Sequence, residues 1–82
     1  MNNNTKKLAQ EFLKNKDLEN MVDFLHGVLT TKELLELSTR IEIVRMLKKG
    51  TPQHAIAEEL GVGVATVTRG SKEIQQGRFK NV

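Results

Sequence analysis

Gln53-His54-Ala55-Ile56-Ala57-Glu58-Glu59-Leu60-Gly61-Val62-Gly63-Val64-Ala65-Thr66-Val67-Thr68-Arg69 decides how this chain is read. Two short helical stretches, Gln53 to Leu60 and Val64 to about Gln76, flank Gly61-Val62-Gly63. A helix-turn-helix crosses its two helices at about 90–120° over a short turn. The crossing needs a small residue, which Ala57 supplies. The turn needs a positive φ, which Gly61 adopts without a Cβ penalty. Ile56, Leu60, Val62 and Val67 fall at inward offsets, leaving Val64, Ala65, Thr66, Thr68 and Arg69 to face a major groove. An ordinary αα-hairpin packed for stability also favours glycine in its turn, and the pattern alone leaves that alternative open. Val62 to Thr68 is rich in β-branched residues and could be read as a strand. Helix-like neighbours and the lack of a partner strand argue against it.

Upstream, Thr30-Thr31-Lys32-Glu33 is a capping-box pattern: Thr30 accepts from a backbone N–H three residues on, and Glu33 reaches back. Leu34, Leu37, Ile41, Val44 and Leu47 then form one apolar stripe, with Leu35, Ile43 and Met46 off it. A helix apolar over so much of its circumference is expected to be buried on several sides, which in so small a chain calls for a second copy. Lys48 and Lys49 suit its C-terminal dipole, and Gly50 suits C′. Thr51 is expected to cap the next helix, with Pro52 at its first position. Nearer the start, Asp17 is the expected cap of a helix carrying Leu18, Met21, Val22, Leu25 and Val28, weakened by Gly27 near its end. Leu8, Phe12 and Ala9, Leu13 pair at i,i+4, so Thr5 to about Lys16 reads as a further amphipathic helix, and residues 1–4 as a frayed polar end. The expectation is an all-α fold of five short helices in one domain, 1–82, with dimerisation helices over 5–50 and a C-terminal helix-turn-helix over 51–77.

With 82 residues there is room for one domain, and a core of this size is marginal in water without outside support. Cysteine is absent, and His26 and His54 are the two imidazoles, so neither disulfides nor a thiolate or His-rich metal site supplies that support. Self-association is the remaining expectation. Hydrophobic residues at 38% and charged residues at 28% fit a globular helical chain rather than a disordered one. No apolar run approaches the roughly 18 residues of a membrane span. The start, Met-Asn-Asn-Asn-Thr-Lys-Lys, lacks the apolar segment of a signal peptide, so a cytoplasmic, nucleoid-associated location is expected. The net charge of +3 is unevenly placed: residues 1–36 carry five basic against six acidic side chains, residues 37–82 eight against four. A basic C-terminal half points to an anionic partner there, against the alternative of a solvated mixed-charge surface.

Leu29-Thr30 through Ile74 resembles the tryptophan repressor family. The resemblance is carried above all by Thr39-Arg40-Ile41, Ile43-Val44, Glu59-Leu60-Gly61 and the run Gly63-Val64-Ala65-Thr66-Val67-Thr68-Arg69-Gly70-Ser71. It covers a little over half of the chain. It implies an intertwined homodimer that binds a palindromic operator in double-stranded DNA, with L-tryptophan as corepressor and no other cofactor. It implies that Arg40 and Arg69 flank the indole, Arg40 also near the ligand carboxylate, with Gly70 leaving space beside the ring. A guanidinium suits this, being planar and able both to stack and to grip a carboxylate. Thr30 and the backbone of Leu25 to Gly27 would come from the other subunit towards the ligand amino group. The plainer alternatives are an ion pair of Arg40 with Glu36 and a phosphate contact for Arg69. For DNA, the resemblance implies Val64, Ala65, Thr66 and Thr68 at base-facing and phosphate-facing positions, Gln53 and His54 at the start of the first helix, and Ser71 and Lys72 at phosphates. It also implies base contacts made largely through water. The short side chains are consistent with that, since none makes a bidentate contact of the Arg–guanine kind.

The chain departs from the family pattern in several places. His54 and Ala57 stand where Arg and Lys are usual, which removes long cationic arms. Glu73 stands where a serine is common near the ligand amino group, and could pair with that ammonium or mark a different ligand. Gly27 replaces an apolar pocket residue, the Gly50-Thr51-Pro52 loop looks one residue shorter, and the family's final helix has no counterpart before Val82.

Catalysis finds no support. Glu58 and Glu59 are adjacent and do not face each other on a helix. Gly61-x-Gly63 lacks the third glycine and preceding strand of a dinucleotide loop. Ser38 and Ser71 lack a nucleophile-elbow context. A helical module that binds only protein remains a further alternative, separable by the salt dependence of DNA binding. Val64, Thr66, Val67 and Thr68 are β-branched and Gly70 follows, so helix propensity is poor there, each residue costing roughly 0.5–1 kcal/mol relative to alanine. The expected outcome is that amides of Val64–Arg69 exchange faster than those of Ile41–Leu47 in the free protein. Equal protection would overturn the picture of a loosely held reading helix.

Overall fold

A computed structural model describes residues 2–82; Met1 lies outside them. Five helices follow one another: α1 (Asn3–Leu13), α2 (Leu18–Val28), α3 (Thr31–Lys48), α4 (Gln53–Leu60) and α5 (Val64–Gln75). No strand forms among the described residues, and Val64–Gln75 is helical throughout, so the all-α expectation holds. The chain resolves into two compact units, Met1–Leu34 and Leu35–Val82.

The first unit is organised by local caps. The Asn2 side chain accepts from the Thr5 N–H at 2.8 Å, so α1 starts at Asn3 rather than Thr5, and residues 2–4 are not a frayed end. The helix stops at Leu13, short of Lys16, because the Asn15 side-chain amide donates to the Glu11 and Phe12 carbonyls and ends the ladder. Asp17 caps α2 as expected, accepting from the Asn20 N–H at 2.8 Å. Phe12 and Phe24 meet edge to face, ring centres 5.1 Å apart, the arrangement their quadrupoles favour. Neither α1 nor α2 contains a buried residue, and Leu8, Leu13, Leu18, Val22 and Val28 lie exposed. The capping box at the start of α3 is complete: the Glu33 N–H donates to Thr30 Oγ1 at 3.1 Å and the Thr30 N–H to Glu33 Oε1 at 2.9 Å.

In the second unit, α4 and α5 pack on the C-terminal half of α3. Ile43, Ile56, Ala57 and Val67 form the core, with Met46, Leu47, Leu60 and Val62 against it. The inward positions expected of the helix-turn-helix are therefore met. On α3 the expected stripe is met in part. Of its described residues only Ile43 and Val44 are buried; Leu47 of the stripe packs against the core, and so do Ile43 and Met46, placed off the stripe by periodicity. Leu37, on the stripe, stays exposed.

At the α4–α5 turn, Gly61 sits at φ +66°, and the Val62 N–H closes back on the Ala57 carbonyl at 3.0 Å. This is the Schellman arrangement, whose left-handed residue is seldom anything but glycine. The same arrangement ends α3 at Gly50, where the Thr51 N–H donates to the Met46 carbonyl. Thr51 is thereby committed to closing α3, and the N-cap of α4 is Pro52, without a side-chain cap. Its carbonyl accepts from the Ala55 and Ile56 N–H groups at 3.1 Å each, and the N–H that proline lacks is not needed there.

The backbone hydrogen bond from Thr30, and then its side-chain hydrogen bond, hold the Glu33 carboxyl below the usual carboxylate range. A lowered folded pKa means stability that is present above the ordinary glutamate value and lost as pH falls through the folded one. The expected outcome is that Thr30→Ala costs about 1 kcal/mol in a denaturant melt and moves the Glu33 NMR titration midpoint upward. Glu33→Gln should flatten the acid limb of stability over that same window.

Candidate nucleic-acid interface and ligand cleft

The residues expected to read DNA lie on α5 and at the start of α4. Val64, Ala65 and Thr66 occupy the exposed first turn of α5, Arg69 and Lys72 are exposed further along, and Thr68 and Ser71 are half-buried. His54 is exposed and Gln53 half-buried on the first turn of α4. The two helices are joined there: Thr68 Oγ1 donates to Gln53 Oε1 at 2.7 Å. The single proton of that hydroxyl is thus committed inside the motif, and the Gln53 amide nitrogen keeps its two donors. Neither α4 nor α5 has a side-chain cap; Gly63 stands at the N-cap of α5, and its carbonyl accepts from the Thr66 N–H.

Behind this face lies a cleft of about 640 Å³ built within the second unit. One wall is α3, with Leu37, Arg40, Ile41, Ile43 and Val44; the other is α5, with Ala65, Thr66, Arg69, Gly70 and Glu73. Four of the seven ligand candidates, Arg40, Arg69, Gly70 and Glu73, are therefore together. Leu25, Gly27 and Thr30 belong to the first unit and are not among these walls. Both backbone and hydroxyl of Thr30 are engaged with Glu33, and the Leu25 carbonyl accepts from the Leu29 N–H. Gly70 does more than leave space: a Cβ on it would stand 3.2 Å from Ile43 Cγ2 and 3.5 Å from Leu47 Cδ1, so its bareness sets how closely α5 approaches α3.

Charge in the cleft is lopsided. Among the described residues Arg40 and Arg69 form no ion pair, so the Glu36–Arg40 alternative is not realised. Glu73 is paired with Arg78, Nε to Oε2 at 3.5 Å. Arg78 and Phe79 close one side of the cleft, and sequence reasoning missed both. The available signal was Gly77, followed by the single large apolar ring of the segment 77–81. Among the described residues no three His, Cys, Asp or Glu gather as a metal set, and no helix is long and apolar enough to cross a membrane.

The family model described as Trp repressor protein matches residues 3–81. The chain belongs to the Trp repressor family. That places it among DNA-binding regulators and not among enzymes. Relatives of this Trp repressor family member include an uncharacterized protein, YerC, of Bacillus subtilis (strain 168). It is 34% identical over 70 residues, which is 85% of this chain and 67% of that protein. A Trp operon repressor homolog of Vibrio vulnificus (strain YJ016) is 47% identical over 49 residues, 58% of this chain and 48% of that one. Another from Xylella fastidiosa (strain M23) is 30% identical over 75 residues, 90% of this chain and 82% of that one. The match to the Vibrio vulnificus homologue spans about half of that protein's length. No solved structure gives a significant match. Thr68→Val keeps shape and removes the donor to Gln53. The expected outcome is a loss of about 0.5–1.5 kcal/mol in thermal unfolding, with the Gln53 side-chain amide resonances shifted.

Proposed function

We propose that this Trp repressor family member is a transcriptional repressor that binds a palindromic operator as a homodimer and responds to L-tryptophan as corepressor. The observation that carries the reading is that Arg40 and Arg69 face one cleft whose second wall is the candidate reading helix itself. Its volume of about 640 Å³ suits a small organic ligand. Two guanidiniums suit a flat ring bearing a carboxylate, which they stack on and grip. A ligand wedged between α3 and α5 favours one orientation of Val64, Ala65, Thr66 and Thr68 over others, and it acts only through that difference. Gln53, His54, Ser71 and Lys72 then meet phosphates, with nucleoid DNA in the cytoplasm as the place of action.

Pairing falls to helices within 5–50, and reading to 51–77. The exposed Leu8, Leu13, Leu18, Val22 and Val28, with Leu35 and Leu37 on α3, supply the apolar surface that a second copy would cover. In the partner's copy, Leu25, Gly27 and Thr30 would approach the ligand amino group. A second reading, a regulator of the same family that answers to another ligand or to none, is favoured by the Glu73–Arg78 pair, since it engages the carboxylate that the family resemblance puts near that amino group.

The test is calorimetric titration of L-tryptophan into protein of established oligomeric state, then anisotropy of a labelled duplex selected from random sequences. The expected result is one tryptophan per chain and tighter duplex binding in its presence. That binding should lose about 0.9 log units per neutralised phosphate for each tenfold rise in salt. Arg40→Ala should abolish the tryptophan response. A folded dimer that ignores tryptophan but binds DNA moves the reading to the second form, and binding to no duplex overturns both.

A further inference from the structure

The turn after α5 brings a positive charge into the cleft by a route fixed in the backbone. Gly77 takes φ +88°, and the Arg78 N–H closes on the Glu73 carbonyl at 3.0 Å. Arg78 is thereby returned to the residue whose carboxylate its guanidinium meets. The next residue, Phe79, has φ +59°, a conformation uncommon for a bulky side chain. Its carbonyl accepts from Lys48 Nζ at the end of α3, which also donates to the Val82 carbonyl at 3.0 Å. The segment is thus tied to both helices that wall the cleft, and it sets Arg78 and Phe79 on the third side.

On the reading that this cleft takes a corepressor, we infer that Arg78 is a specificity-determining residue that tunes the cleft for a planar organic anion over a zwitterion or a cation. Three guanidiniums, Arg40, Arg69 and Arg78, face the space against one carboxylate, Glu73. Arg78 neutralises that carboxylate and leaves Arg40 and Arg69 as the uncompensated charges. An incoming carboxylate meets two cations. An incoming ammonium meets the same two cations and must share the Glu73 carboxylate with Arg78. Sharing that carboxylate weakens what it can offer the ammonium and opposes its entry. Arg78 therefore acts as an internal stand-in for the ligand's amino group, and Phe79 offers an aromatic wall to the ring.

Three probes sharing one ring separate the terms by calorimetry: indole-3-propionate (anion), L-tryptophan (zwitterion) and tryptamine (cation). The wild-type protein should bind them in that order. Arg78 is two-thirds exposed, so Arg78→Ala should leave the fold intact and tighten the two ammonium-bearing probes about fivefold relative to the anion, the scale of an exposed ion pair. Arg78→Lys should restore the wild-type order, and Phe79→Ala should weaken all three. A wild-type protein that prefers tryptophan to the anion, or an Arg78→Ala protein with unchanged ratios, overturns the role of Arg78 and leaves the cleft standing as a ligand site. A folded wild-type dimer that binds none of the three overturns the corepressor reading along with it.

Discussion

The contact of α5 with α3 at Gly70 is the constraint from which the rest of the second unit follows. With no Cβ at that position the helices approach until Ile43 and Leu47 lie against the α5 backbone. At that spacing Val67 and Ile56 become fully buried, and Ala57 is small enough to let α4 cross. The same two helices, carrying Arg40 and Arg69 beside Ile43 and Gly70, also wall the cleft. Core and cleft thus share one interface, with Ile43 belonging to both.

The two halves of the chain are stabilised by different means. Helices α1 and α2 start with side-chain caps at Asn2 and Asp17 and bury no residue, while α3 starts at the Thr30 cap and buries Ile43 and Val44 further along. Helices α4 and α5 start at Pro52 and Gly63, with no side-chain cap, and are held by what they bury. Local signals persist in the absence of tertiary contacts, whereas packing is lost as a unit. The reading helices therefore belong to the part of the molecule whose order is most sensitive to what sits between them and α3.

Legibility in the sequence followed the same division. Gly61, the capping box and the inward set Ile56, Leu60, Val62 and Val67 were readable because each depends on residues a few positions apart. The face of α3 was readable only in part: Val44 is buried and Leu47 packs on the core as the stripe has it, but a helix apolar all round gives no period that also selects Ile43 and Met46, a choice made by distant residues on α4 and α5. Thr51 was misplaced because one residue could serve either helix, and the Gly50 turn claimed it first. At the cleft, Arg40, Arg69, Gly70 and Glu73 were named through the family resemblance. Arg78 and Phe79 escaped because they reach the site through a turn that no spacing rule relates to Arg40.

Helix α5 has twelve residues and, on the proposed reading, two duties. Ala65, Thr66 and Arg69 stand exposed on the helix and also line the cleft, so a substitution at any of them alters both surfaces at once. Neither surface can drift alone in a lineage. A change at these three positions that shifts one preference leaves the other to be restored from elsewhere, on α3 or in the turn that carries Arg78. Those flanking positions, rather than α5 itself, are where compensating variation is to be sought among relatives.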